Sequence, residues 1–181
     1  MFIKHLSLAS FRNYSTAEIA LQPGVNLLVG PNGQGKTNLV EAIRYLSTLS
    51  SHRVAGYLPL IKQEQPQAAV RAMASHADRD ILVELELNRD SPNKARVNKS
   101  PVPRVRDILG LVTSVTFAPE DLDIVKRDPT NRRAFIDELV VQVWPRFAGV
   151  YSDYDRVLKQ RNTLLKTARQ TGAKGSALST L

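Results

Sequence analysis

Cysteine is absent from the 181 residues, which excludes disulfides and any zinc or redox centre built on thiolates. Long apolar runs are absent too, and nothing approaches the ~20 residues a membrane helix needs. The opening Met1-Phe2-Ile3-Lys4-His5 has no basic region leading into an apolar stretch, so no secretory signal is visible. Internal repeats and long low-complexity linkers are missing, and collagen-like, low-complexity and wholly disordered readings are excluded. The three histidines (His5, His52, His76) have no metal-ligand spacing. These absences predict a soluble, cytoplasmic chain with no membrane partner.

What is present is an ordinary globular composition, 43% hydrophobic and 23% charged, with an uneven charge. Residues 1–90 carry nine bases and eight acids, whereas residues 91–181 carry sixteen and nine, so nearly all of the net +8 sits in the second half. That asymmetry suggests a surface facing a polyanion there. Lys94, Arg96, Lys99, Arg104 and Arg106 form a stretch without an acid and are the candidate DNA contacts.

The apolar pattern runs from strands to helices. Phe2 to Phe11 and Glu18 to Leu21 read as an opening pair of strands. Val25 to Val29, bounded by Gly24 and Gly30, reads as a buried strand. From Lys36 the period becomes helical, with Leu39, Ile43 and Leu46 on one face. Val70 to Ser75 and Ile81 to Leu87 read as a hairpin turning at Asp78-Arg79, and Ser114 to Phe117 as another strand. Arg132 to Phe147, interrupted near Pro145, and Tyr151 to Arg169 read as helices. The expected fold class is α/β: a mixed sheet around a helix, followed by a helical segment.

One motif carries chemistry. Gly30-Pro31-Asn32-Gly33-Gln34-Gly35-Lys36-Thr37 fits G-x-x-x-x-G-K-[ST], placed between an expected strand and an expected helix. The glycines let the backbone turn tightly and aim successive N–H groups at phosphate oxygens. The helix N-terminus adds partial positive charge. Lys36 would reach the β- and γ-phosphates and the Thr37 hydroxyl would ligate Mg²⁺. ATP and Mg²⁺ are therefore the expected cofactors. Phe135-Ile136-Asp137-Glu138 looks like a Walker B element, but Phe135, Ile136, Leu139 and Val143 keep a helical period. Its acids are expected to cap and solvate a helix, which leaves no catalytic residue identifiable in the chain.

With these residues in hand, the sequence resembles the SMC-like group of ABC-type ATPases, and within it the RecF family. The resemblance rests on Phe11-Arg12-Asn13-Tyr14, GPNGQGKTNLVEAI from Gly30, Ser51-His52-Arg53, and Pro119-Glu120-Asp121-Leu122 followed by Val125-Lys126. It continues through Pro129, Arg132-Arg133, Phe135 and Asp137, and ends on LKQRNTLLK from Leu158. Arg127 stands where that family commonly has Gly. The resemblance implies that Arg12 and Asn13 join the P-loop in holding nucleotide, and that ATP closes two protomers on DNA at duplex/single-strand junctions. It further implies RecA loading with RecO and RecR, in the cytoplasm with the nucleoid. It divides the chain into an ATPase lobe over 1–127 and the start of a helical arm over 128–181. The ABC signature and Walker B strand are then expected beyond Leu181, so hydrolysis by this chain is expected at background only. Alternatives are a transporter-type or SMC-like ATPase fragment, a nucleotide-binding module without turnover, or a small-molecule kinase.

Overall fold

The computed structural model describes residues 1–77, 79–122 and 129–171. Six antiparallel strands form one sheet: β1 (Phe2–Phe11), β2 (Tyr14–Ala20), β3 (Gln67–His76), β4 (Arg79–Asn88), β5 (Lys94–Val97) and β6 (Ser100–Pro101), in the order β2-β1-β3-β4-β5-β6. Among the described residues three α-helices accompany it: α1 (Lys36–Thr48), α2 (Pro129–Val143) and α3 (Phe147–Thr171). The opening pair, the hairpin and all three helices lie where the apolar periods place them.

The sheet is dry on one face. Leu6 and Leu8 of β1, Val70, Ala72 and Ala74 of β3, and Val83, Leu85 and Leu87 of β4 alternate inward and are fully buried. Helix α1 closes this core with Leu39, Ala42 and Leu46. Ala68, Ala72 and Ala74 keep β3 low where the helix approaches it. Ile43, expected on the buried stripe, is only half-buried, and Glu41 is buried in its stead.

Two expected strands are not formed. Val25–Val29 pairs with nothing among the described residues, and Val25, Leu27 and Val29 are 96%, 83% and 82% exposed. Ser114–Phe117 is likewise unladdered, with Val115 and Phe117 exposed. A strand is defined by its neighbours' N–H and C=O groups, and no described segment offers them here. Before the P-loop, the Asn26 side chain instead hydrogen-bonds the backbone of Gln22 and Gly24.

The chain divides into two compact units, 1–145 and 146–181. Helix α2 belongs to the first, so this division lies later than the 127/128 boundary expected from sequence. Its Glu138 is ion-paired to Arg44 of α1 at 2.8 Å, which ties it to the unit that holds the sheet. The second unit holds α3, whose Val150, Tyr154, Val157, Leu164 and Leu165 are exposed. The expected Val125-Lys126 and Arg127 features lie outside the described residues. No helix among the described residues is long and apolar enough to cross a membrane.

The core assignment makes a direct prediction. Leu46→Ala should cost about 2–5 kcal/mol of unfolding free energy, because it opens a cavity under the sheet. Val115→Ala should cost under about 0.5 kcal/mol, as expected for an exposed site. Urea titrations of both variants of this chain check the contrast.

Candidate nucleotide site

The candidate loop follows the unladdered 25–29 segment and runs directly into α1. Gly33 and Gly35 adopt φ of 83° and 100°, a region costly for other residues. Gly35 is required for a second reason. A Cβ there would lie 2.7 Å from the Asn13 amide and 2.9 Å from the Tyr14 ring. Helix α1 has no side-chain N-cap and no acid in its first turn. Its leading N–H groups and its dipole are therefore left for an anion from outside. Lys36 Nζ folds back onto the carbonyl oxygens of Gly30 (2.6 Å) and Pro31 (2.7 Å), which closes the loop around its own cation. Thr37 lies exposed at the start of the helix, where its hydroxyl can reach a metal. The donor set fits a nucleoside triphosphate: backbone N–H groups, one ammonium, one hydroxyl and no acid.

Beside the loop lies a cavity of about 600 Å³ whose wall includes Arg12, Asn13, Asn38, Arg53 and Arg89. Its geometry starts in the β1–β2 turn. Phe11 pairs with Tyr14, leaving Arg12-Asn13 as a two-residue loop with Arg12 at φ 53°. The tip is pinned by the Arg12 N–H on the Leu60 carbonyl, 2.8 Å. Asn13 then faces the P-loop, donating from Nδ2 to the Gln34 carbonyl (3.3 Å) and accepting from Asn38 Nδ2 on Oδ1 (2.8 Å).

Arg12 does not point a free guanidinium at the loop. It grips Glu41 with both arms, Nε to Oε2 at 2.8 Å and Nη2 to Oε1 at 2.6 Å, and donates from Nη1 to the Pro59 carbonyl. Glu41 is fully buried and also accepts from Ser51 Oγ (2.5 Å) and, at 3.4 Å, from Arg53 Nη1. Arg53 donates from the same nitrogen to Asn38 Oδ1, 2.7 Å. Burial pushes the Glu41 carboxyl up, but hydrogen bonds from Arg12 and Ser51 and the charges of Arg12 and Arg53 outweigh it. Its pKa lies below the ordinary carboxylate value. Sequence reasoning missed Glu41 and Asn38. The signal was an acid beside the apolar face of α1, flanked by one arginine upstream in Phe11–Tyr14 and one downstream in Ser51–Arg53.

The other candidates separate. Phe135–Glu138 is helical, as its period requires, but Glu138 is no solvated cap. It accepts from Arg44 Nη2 and from Ser50 Oγ, both at 2.8 Å. The 94–106 stretch lacks acids only along the chain. Register sets Lys94 opposite Glu86 and Arg96 opposite Glu84, and Lys94 Nζ lies 3.8 Å from the Glu86 carboxylate. Glu84 is already paired with Arg71. Lys99 and Arg104 lie exposed beyond this ladder and Arg106 is half-buried, with the Arg104 N–H donating to Asp107.

Comparison with known proteins supplies the family. The model described as the RecF/RecN/SMC N-terminal domain matches residues 2–142. The chain belongs to that family. It is 59% identical over 172 residues to a DNA replication and repair protein RecF from a Nocardioides species, covering 95% of this chain and 41% of the relative. It is 56% identical to the Streptomyces avermitilis RecF over 184 residues, 100% and 49% of the two chains. The chain thus spans about half the length of the curated relatives it matches. The fold is similar to that of the recombination mediator protein RecF solved with ATPrS, at TM-score 0.86 and 30% identity over 98% of this chain and 48% of that one. This is the α/β head fold of RecF and the SMC ATPases.

Removing the Glu41 charge tests the electrostatics. Glu41→Gln leaves Arg12 largely buried without its counter-charge and should cost about 3 kcal/mol in thermal or urea unfolding. The sign of the pH effect follows from the lowered pKa. Glu41 stabilises the fold above the ordinary carboxylate pKa, and that contribution is lost as pH falls through its depressed folded value. The acid limb of the wild-type stability profile should be correspondingly flatter in Glu41→Gln.

Proposed function

We propose that this chain is the nucleotide-binding lobe of an ATP-switched, DNA-binding protein of recombinational repair and replication restart. One observation carries the reading: an uncapped helix N-terminus behind a glycine loop whose Lys36 is held at the loop's own carbonyls. ATP supplies the phosphates that take over Lys36 and the free N–H groups. The Thr37 hydroxyl is the residue to hold Mg²⁺, and Asn13 and Asn38 line the approach from the cavity side. Of the residues expected to touch nucleotide, Arg12 acts indirectly, through Glu41. Support for the biological setting comes from the relatives, named as DNA replication and repair proteins, and from the RecFOR pathway of the solved neighbour. By that likeness the lobe closes as an ATP-dependent dimer on duplex or gapped DNA in the cytoplasm and works with RecO, RecR and RecA.

The nucleotide reading is tested at Lys36. Lys36→Ala should abolish ATP binding by calorimetry while preserving the melting temperature; equal affinity in variant and wild type would refute the site. Thr37→Ala should reduce affinity in Mg²⁺ and change little in EDTA.

The DNA reading falls on the bases outside the ladder with the acids of β4. Lys99→Glu combined with Arg104→Glu should weaken duplex binding in the full-length protein. It should also lower the salt slope by about 0.9 for each phosphate that is no longer neutralised, with ATP affinity unchanged. If affinity and slope both survive, the DNA surface lies elsewhere.

A further inference from the structure

Among the described residues, only two buried side-chain nitrogens lack a hydrogen-bond partner: Arg44 Nε and His52 Nδ1. Both belong to one short stretch, the end of α1 and the segment that leaves it. Orphaned buried donors and acceptors cost free energy and are scarce in native proteins. Their concentration here, next to the cavity wall, asks what the stretch does.

The hydrogen bonds around it form a chain. Arg44 lies against Glu138 of α2, and a carboxylate facing a guanidinium ordinarily takes it with two parallel bonds. Here only Nη2 reaches Oε1 of Glu138. The second carboxylate oxygen accepts from Ser50 Oγ at 2.8 Å, and Arg44 Nε has no partner. The neighbouring Ser51 turns the other way and donates to Glu41. Its Oγ also accepts the N–H groups of Arg53 (3.0 Å) and Val54 (3.3 Å). Two adjacent serines therefore hang the Ser51–Arg53 segment between two carboxylates, one on the P-loop helix and one on α2. That segment places Arg53 in the cavity wall, on Asn38.

We infer that Glu138 is a positioning residue for the proposed nucleotide pocket. Through Ser50 on one carboxylate oxygen it holds the Ser51–Arg53 wall against α1, while its other oxygen takes Arg44. The inference rests on the nucleotide reading above and adds a residue from a different helix to it.

A positioning role and a merely structural one separate experimentally because they move stability and affinity differently. Ser50→Ala removes the bond to Glu138 and leaves the Arg44–Glu138 pair in place, so its melting temperature should fall by no more than about 2–4 °C. Its ATP affinity should nevertheless fall about three- to tenfold, the scale of one hydrogen bond. Ser50→Thr keeps the hydroxyl and should restore the affinity. Glu138→Gln should weaken ATP binding to the same extent or more. Combined with Ser50→Ala, it should add less than its separate effect, because both changes cut one link. The measurements are calorimetric ATP titrations and thermal melts of the full chain, with Lys36→Ala as reference. Wild-type affinity in Ser50→Ala and Glu138→Gln, with binding still abolished in Lys36→Ala, overturns the positioning role and leaves the nucleotide reading standing. A lower melting temperature with unchanged affinity in Ser50→Ala also overturns it. Absence of ATP binding in the wild type overturns both.

Discussion

A fully buried carboxylate on the P-loop helix is the constraint around which this lobe is built. An ionised group taken out of water is tolerated only when donors replace its hydration. Glu41 obtains them from Arg12 at the β1–β2 turn and from Ser51 and Arg53 just past the helix. Each donor lies in a segment that would otherwise be a surface loop. Satisfying one charge therefore fastens the hairpin tip and the post-helix segment to α1. The left-handed φ of Arg12 belongs to the same arrangement. A two-residue hairpin of this kind asks for positive φ, and the geometry that delivers the guanidinium to Glu41 also delivers Asn13 to Gln34 and Asn38.

The positions of the regular elements were legible from period alone, and the reasons are local. Alternation in Val83, Leu85 and Leu87 against Glu84 and Glu86 defines a two-faced strand whatever it pairs with. The glycine loop and the apolar stripe of α1 define strand-to-helix punctuation. Where the reading failed, the missing information was a neighbour. Val25–Val29 has the composition of a buried strand, yet no described segment completes a ladder with it. Glu41 failed in the opposite direction. A Glu within a helix reads as solvated, and only the convergence of residues 29 positions upstream and 10 to 12 positions downstream makes it buried. Glu138 was assigned correctly to a helix but incorrectly to solvent, since its partner Arg44 is 94 positions away.

The basic stretch shows the same limit for charge. Along the chain, residues 94–106 carry five bases and no acid. Across the sheet, a polar row runs from Glu18 through Ser7, Arg71 and Glu84 to Arg96 on registered positions. Arg96 is its last member. Antiparallel pairing folds β4's glutamates onto β5's bases, so part of the linear excess is met locally before any polyanion arrives. What extends past the ladder, at Lys99 and Arg104, is the part of the composition that stays exposed beyond the reach of β4's glutamates.

These pieces decide from which side the phosphate-binding loop is held. Its N-terminal side enters from an exposed segment that belongs to no ladder among the described residues. Its C-terminal side enters α1 through Gly35, where the absent Cβ admits Asn13 and Tyr14 to contact distance. The loop's geometry in this lobe thus comes from the helix and from what Glu41 fastens to it, with the preceding strand-like residues contributing little. Changes that loosen the hairpin tip act on the loop through Asn13, and changes in the Ser50–Arg53 segment act through Asn38. Both routes meet at α1, which carries Asn38, Glu41 and Arg44 on successive turns. The helix that points its uncapped N-terminus at the glycine loop is also the beam on which both walls of the cavity are hung.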